Sequence, residues 1–158
     1  MKRIILILLL FLLPALCLAQ RFSVKVVGIS DGDTFTCINS DNLQLKVRIY
    51  GIDAPEKKQA FGNKSKEYLS SLIFGKVITI IVQSLDSWGR YIAYVYTPDG
   101  DDVSLLILKA GMAWHFVKYD NTLAYSNAEL DARKFKRGLW YDKAPLAPWD
   151  FRTQNKHR

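Results

Sequence analysis

Leu43-Gln44-Leu45-Lys46-Val47-Arg48-Ile49-Tyr50-Gly51-Ile52-Asp53-Ala54-Pro55-Glu56 alternates apolar and polar side chains and then turns acidic. Successive side chains of a strand point to opposite faces, so Leu43, Leu45, Val47 and Ile49 share one face while Gln44, Lys46, Arg48 and Tyr50 share the other. The pattern predicts one strand over residues 43–52 that buries its apolar face, points Arg48 away from it and delivers Asp53 and Glu56 at its end. On the N-terminal side, period two also marks Phe22 to Ile29 and Asp33 to Ile38. On the C-terminal side it marks Lys76 to Val82, and Arg90 to Thr97 after the turn Asp86-Ser87-Trp88-Gly89. Helical spacing with a glycine stop appears between the third and fourth runs, around Glu67 to Phe74 before Gly75, and again over Val103 to Ala110 and Leu123 to Lys136. Five short strands interrupted by one helix and followed by others predict an α+β, mainly β fold: a closed five-stranded barrel of the OB type with about three packed helices.

Composition agrees with one such domain. The chain has 158 residues, 49% of them apolar and 23% charged, enough for burial to offset chain entropy, which excludes disorder, collagen and coiled coil. Met1-Lys2-Arg3 followed by the apolar run Ile4 to Leu13, Pro14 and Cys17-Leu18-Ala19 reads as a signal peptide over residues 1–19, cleaved after Ala19. The run is too short for a permanent membrane anchor. Leu16 stands where lipid attachment to Cys17 would need a small residue. Export is therefore expected, to a periplasm or outside the cell. Loss of Lys2 and Arg3 lowers the formal net charge from +7 to +5, still basic, as suits attraction to polyanions, whether nucleic acid or an acidic surface. Cys37 is then the single remaining cysteine; alternating with Phe35, it reads as a small buried hydrophobe rather than a reactive thiol. Residues 20–142 form the expected domain. Residues 143–158, with Pro145, Pro148 and the basic Arg152, Lys156 and Arg158, are expected to be an irregular tail.

Asp31-Gly32-Asp33-Thr34 alone is a common turn sequence. It gains meaning from two further motifs, Arg48 leading into Asp53-Ala54-Pro55-Glu56, and Gly89-Arg90 after a turn. Together, and in this order, the three motifs resemble the staphylococcal nuclease (thermonuclease) family, as do Ala128-Glu129-Leu130-Asp131-Ala132-Arg133 and Gly138-Leu139-Trp140. The resemblance covers essentially the whole chain after residue 19. It implies an OB barrel and calcium-dependent, sugar-nonspecific hydrolysis of DNA and RNA with 3′-phosphate products, single strands being preferred, by a monomer. By motif, Asp33 and Asp53 correspond to the calcium carboxylates, the Ala54 carbonyl to the backbone ligand, Glu56 to the water-orienting carboxylate, and Arg48 and Arg90 to the phosphate arginines. Tyr119 corresponds to one base-stacking tyrosine, while Val117 stands at the other. Trp88 follows Ser87 where the staphylococcal enzyme has Lys-Tyr, leaving an aromatic surface for substrate. The connection from Glu56 to the first helix is shorter than that enzyme's loop. Trp114 and Phe116 suit the core equally well, His115 reads as structural, and Asp99, Asp101 and Asp102 read as solvated charge. The competing reading is a noncatalytic exported OB-fold module that binds nucleic acid without cutting it.

Overall fold

A computed structural model describes residues 21–156; the expected signal peptide, with Cys17, lies outside the described residues. The expected strands form, as β1 (Arg21–Ile29), β2 (Thr34–Ile38), β3 (Gln44–Ile49), β5 (Val77–Leu85) and β6 (Tyr91–Tyr96), joined in a closed barrel of order β1-β2-β3-β6-β5. Neighbours are antiparallel except β3 and β6, which run parallel with Arg48 opposite Ile92. The interior comes from the predicted alternation: Val24, Val26, Phe35, Cys37, Val47, Ile49, Ile78, Ile80, Ala93 and Val95 are all buried. Burial pushes the Cys37 thiol up to about 11, so it stays protonated and behaves as a hydrophobe.

The strand predicted over residues 43–52 is broken in two. β3 ends at Ile49, Gly51 takes φ +78° in a turn, and Ile52–Asp53 restarts as β4. A side chain at Gly51 would pay for the left-handed backbone and meet the Tyr125 ring, which lies 2.8 Å from the position of a Cβ. The break lets β4 leave the barrel and pair antiparallel with β7 (Trp114–His115), Asp53 opposite Trp114. The apolar face also narrows toward the start of β3, where Leu43 is exposed and only Val47 and Ile49 are fully buried.

The three expected helices are α1 (Gly62–Ile73), α2 (Val103–Lys109) and α3 (Leu123–Lys134). α1 seals one part of the barrel with Leu69 and Ile73, and α2 contributes Val103, Ile107 and Leu108 to the same core. Asp102 is more than solvated charge: its carboxylate accepts the Leu105 N–H at 3.1 Å as the N-cap of α2 and the Tyr125 hydroxyl at 2.6 Å, tying α2 to α3. The largest departure is the tail. Residues Pro148–Lys156 form a fourth helix, α4, instead of an irregular end. Pro148 suits the first helical position, whose N–H has no intrahelical partner. Trp149 anchors the helix, stacked on Phe116 with ring centroids 5.6 Å apart and edge-on to Trp114. Trp114, Ala132, Leu139, Trp140 and Ala147 form a second small core beneath it. Among the described residues no helix is long and apolar enough to cross a membrane.

Candidate active site

The site starts at the entry to β2. Asp31 accepts the Asp33 backbone N–H at 3.1 Å, closing a turn that aims the Asp33 carboxylate inward. Gly32 permits this turn to lie flat against α1 and the end of β4: a Cβ here would sit 2.0 Å from the Ser65 hydroxyl oxygen and 2.8 Å from the Ala54 Cβ. Asp33 then accepts three further bonds, from the Thr34 hydroxyl at 2.9 Å, the Ala54 backbone N–H at 2.9 Å and Arg48 Nη1 at 2.8 Å. Its carboxyl is 3% exposed. Burial raises its pKa, opposed by the Arg48 guanidinium and reinforced by the Asp31 charge.

Register explains Arg48. It lies opposite Thr34 in the β2–β3 ladder, one residue from Asp33, and its fork spans two elements: Nη1 to Asp33 and, at 2.9 Å, Nη2 to Asp53 Oδ1 on β4. Burial disfavours the guanidinium charge, but Asp33 and Asp53 together raise its pKa further, so it stays a cation. Asp53 is fully buried. Glu56 is half-exposed and held by its own loop, where its N–H donates to Gln59 Oε1 at 3.0 Å and its carbonyl accepts the Gln59 N–H at 2.8 Å. The Gln59 amide is in turn tied to the Leu146 carbonyl. Five residues separate Glu56 from the first residue of α1 at Gly62, the short connection expected.

Arg90 approaches from the other side of β3, through the parallel pairing. Its Nε donates to Asp86 Oδ2 at 2.7 Å, while Asp86 Oδ1 accepts the N–H groups of Trp88 and Arg90, each at 2.9 Å. Partial burial pushes the Asp86 carboxyl up, yet these hydrogen bonds win and hold it below its ordinary value. Trp88 and Tyr119, 82% and 61% exposed, present aromatic surfaces beside the site. Tyr119 is steadied by Phe116 edge-on at 4.8 Å and by the Tyr50 hydroxyl, which donates to its carbonyl at 2.7 Å.

Asp33, Arg48, Ala54, Glu56, Arg90, Trp88 and Tyr119 thus border a single concavity of about 360 Å³, with Asp53 directly behind Arg48. His115 stays outside it, buried between Asp120 at 2.7 Å and Ser126 at 3.1 Å, a structural histidine as expected. Phe116 and Arg152 also line the concavity, and neither was singled out as a site residue from the sequence. Arg152, on α4, donates from Nη1 and Nη2 to both oxygens of Asp53 at 3.1 and 2.7 Å, and from Nη1 to Glu56 Oε1 at 2.7 Å. The hydrogen bond to Asp53, opposed by burial and joined by Glu56, raises the pKa of Arg152. Its only trace in the sequence is its place in the basic tail, four residues after Pro148.

Among the described residues no group of three or more His, Cys, Asp and Glu is arranged to hold a metal ion. The reason is visible in the contacts, since Asp33 and Asp53 turn oxygens to Arg48, and Asp53 and Glu56 turn theirs to Arg152. The donor chemistry nonetheless fits a hard cation. Carboxylates on Asp33, Asp53 and Glu56 are the oxygen ligands calcium takes, and the Asp53–Glu56 pair already holds one cationic group, the guanidinium.

The family model described as "Staphylococcal nuclease homologue" matches residues 46–142. That span includes Arg48, Asp53, Glu56, Arg90 and Tyr119 but not Asp33. A protein of Haemophilus influenzae (strain ATCC 51907 / DSM 11121 / KW20 / Rd) named "Uncharacterized endonuclease" is 39% identical over 150 residues, covering 95% of this chain and 84% of that protein. One of the same name from Escherichia coli O157:H7 is 38% identical over 151 residues, covering 96% and 97%. A "Probable staphylococcal-like nuclease" of Oryza sativa subsp. japonica is 35% identical over 133 residues, covering 84% of this chain and 34% of that protein.

Proposed function

The chain belongs to the staphylococcal nuclease homologue family, and from that premise we propose that it is an exported, calcium-dependent, sugar-nonspecific nuclease that hydrolyses DNA and RNA to 3′-phosphate ends. What supports this reading most is one observation: two guanidinium groups, Arg48 and Arg90, border the same concavity as the carboxylates of Asp33 and Glu56. Phosphodiester hydrolysis asks for an aligned nucleophile, neutralisation of charge on the five-coordinate phosphorus, and a stabilised leaving oxygen. Arg48, held charged and already oriented by two carboxylates, and Arg90, oriented by Asp86, each direct N–H donors at a non-bridging phosphate oxygen. Glu56 orients a water on the opposite side and takes its proton, a contribution of about 10²- to 10⁴-fold for a general base. The water oxygen bonds to phosphorus, the P–O5′ bond breaks, and the departing 5′ oxygen takes a proton from solvent water, while the proton held by Glu56 returns to solvent. A calcium ion held by Asp33, Asp53 and the Ala54 carbonyl would supply the remaining charge neutralisation. Trp88 and Tyr119 offer stacking surfaces for unpaired bases, worth about 1–3 kcal/mol each and indifferent to base identity, which favours single strands. Export uses residues 1–19, and the product acts as a monomer.

The test is digestion of single-stranded DNA and RNA by residues 20–158 in millimolar calcium and in chelator. Cleavage in calcium alone is expected; intact substrates in both overturn the proposal. Arg48→Ala separates it from the noncatalytic module: turnover should fall by about 10³- to 10⁵-fold, whereas a pure binder shows no turnover to lose.

A further inference from the structure

We propose that Arg152 is an internal counter-cation of this site, occupying the Asp53–Glu56 carboxylate pair in the resting chain and exchanging at Asp53 with the divalent ion. This rests on the functional reading above, in which Asp53 is one of the ion's carboxylate ligands.

The contacts are those of a specific lodging. Three hydrogen bonds of 2.7–3.1 Å join the guanidinium to both oxygens of Asp53 and one of Glu56, across a sequence separation of 99 and 96 residues. Bidentate geometry of this kind is the strong form of the carboxylate–arginine pair. Asp53 is fully buried and Arg48 reaches only one of its oxygens, so without Arg152 the other would face no cation. Removing a partner from a buried charge is expensive. Arg152 satisfies Asp53 whenever the ion is absent.

α4 is built to deliver this one group. Trp149, stacked on Phe116, fixes the helix against β7, and Arg152 follows three residues later, on the same helical face. The Arg152 side chain is still 38% exposed, so its head can leave Asp53 for the solvent side of the concavity while Trp149 keeps α4 docked. Co-occupancy is disfavoured on charge and on geometry: both Asp53 oxygens are already donated to, and a dication beside the guanidinium repels it at close range. Arg152 lines the same concavity as Glu56, Arg48 and Arg90, so a guanidinium released from Asp53 is within that concavity's reach of a phosphate oxygen.

The experiment is calcium titration by calorimetry on residues 20–158 and on the Arg152→Gln and Arg152→Lys variants, without nucleic acid, with thermal melts of each in chelator. Exchange requires Arg152→Gln to bind calcium more tightly, by at least about fivefold, with Arg152→Lys in between, and to melt at a lower temperature than wild type only when calcium is absent. Calcium bound by Arg152→Gln but not by wild type supports the exchange equally. Unchanged or weaker calcium binding in Arg152→Gln, by an enzyme that still digests nucleic acid in calcium, overturns the exchange and leaves the functional reading standing. If neither protein binds calcium and neither digests, the functional reading falls and the exchange with it.

Discussion

Replacing Arg48 by lysine keeps the charge and removes the fork. In the wild-type chain Nη1 reaches Asp33 at 2.8 Å and Nη2 reaches Asp53 at 2.9 Å; a single ammonium is a compact point charge and cannot reproduce two parallel donors on separate elements. One charge-assisted hydrogen bond is therefore lost at a site where the carboxylates are buried, costing about 1.5–3 kcal/mol of stability. With a urea m-value of about 1–3 kcal/mol per molar, the unfolding midpoint should drop by about 1 M at unchanged slope. The chemical step should suffer more. Loss of one preorganised donor to a developing oxyanion costs about 10²–10³ in kcat, whereas loss of the whole group costs about 10³–10⁵. Arg48→Lys is thus expected to fall between wild type and Arg48→Ala in kcat, with KM for single-stranded DNA little changed, because the missing interaction is made in the transition state. Single-turnover digestion in saturating calcium, alongside urea melts, reads both quantities. A lysine variant within tenfold of wild-type kcat would refute the assignment of Arg48 as an oriented phosphate ligand, whatever its stability.

Two other outcomes follow from the geometry. Gly32→Ala drives a methyl into the Ser65 hydroxyl and Ala54, so it should cost about 1–3 kcal/mol by overpacking and displace the Asp33 carboxylate, lowering kcat even at temperatures where the variant is fully folded; a folded variant of normal kcat contradicts the close approach. Asp86→Asn removes the acceptor that orients Arg90. Because the Asp86 pKa is held below its ordinary 3.8 when folded, its contribution is present above that value and is lost as pH falls through the depressed one. The stability gap between wild type and Asp86→Asn should therefore be open at neutral pH and shrink as pH falls below 3.8, as urea melts at successively lower pH would show; a gap that stays constant excludes an ionised, hydrogen-bonded Asp86.

The parts of the fold that could be read in advance are those in which one physical rule acts over many residues. Period two over β3 gave Val47 and Ile49 to the core and turned Arg48 outward, and that orientation alone places the guanidinium beside Asp33. The turn Asp31-Gly32-Asp33 and the acidic end Asp53 to Glu56 were legible as motifs because their spacing is local. What escaped is set by contacts distant in sequence. The break at Gly51 left only a local trace, since Ile52 falls out of phase with Leu43, Leu45, Val47 and Ile49; where the chain then goes is set by β7, a strand of two residues and too short to show any period. α4 was hidden by its composition, since a basic stretch holding two prolines reads as tail, and its hold on the domain is the Trp149 indole against Phe116 and Trp114 together with Arg152 on Asp53 and Glu56, all distant in sequence. Arg152 was passed over for the same reason, and because no local spacing ties it to Asp53.

The parallel pairing of β3 with β6 closes the barrel, and closure has a bearing on durability. An open sheet would present a row of unsatisfied peptide groups at each margin, an invitation to add strands from neighbouring molecules. Here the main barrel has no such margin, so the folded chain carries little surface on which to template its own fibrils.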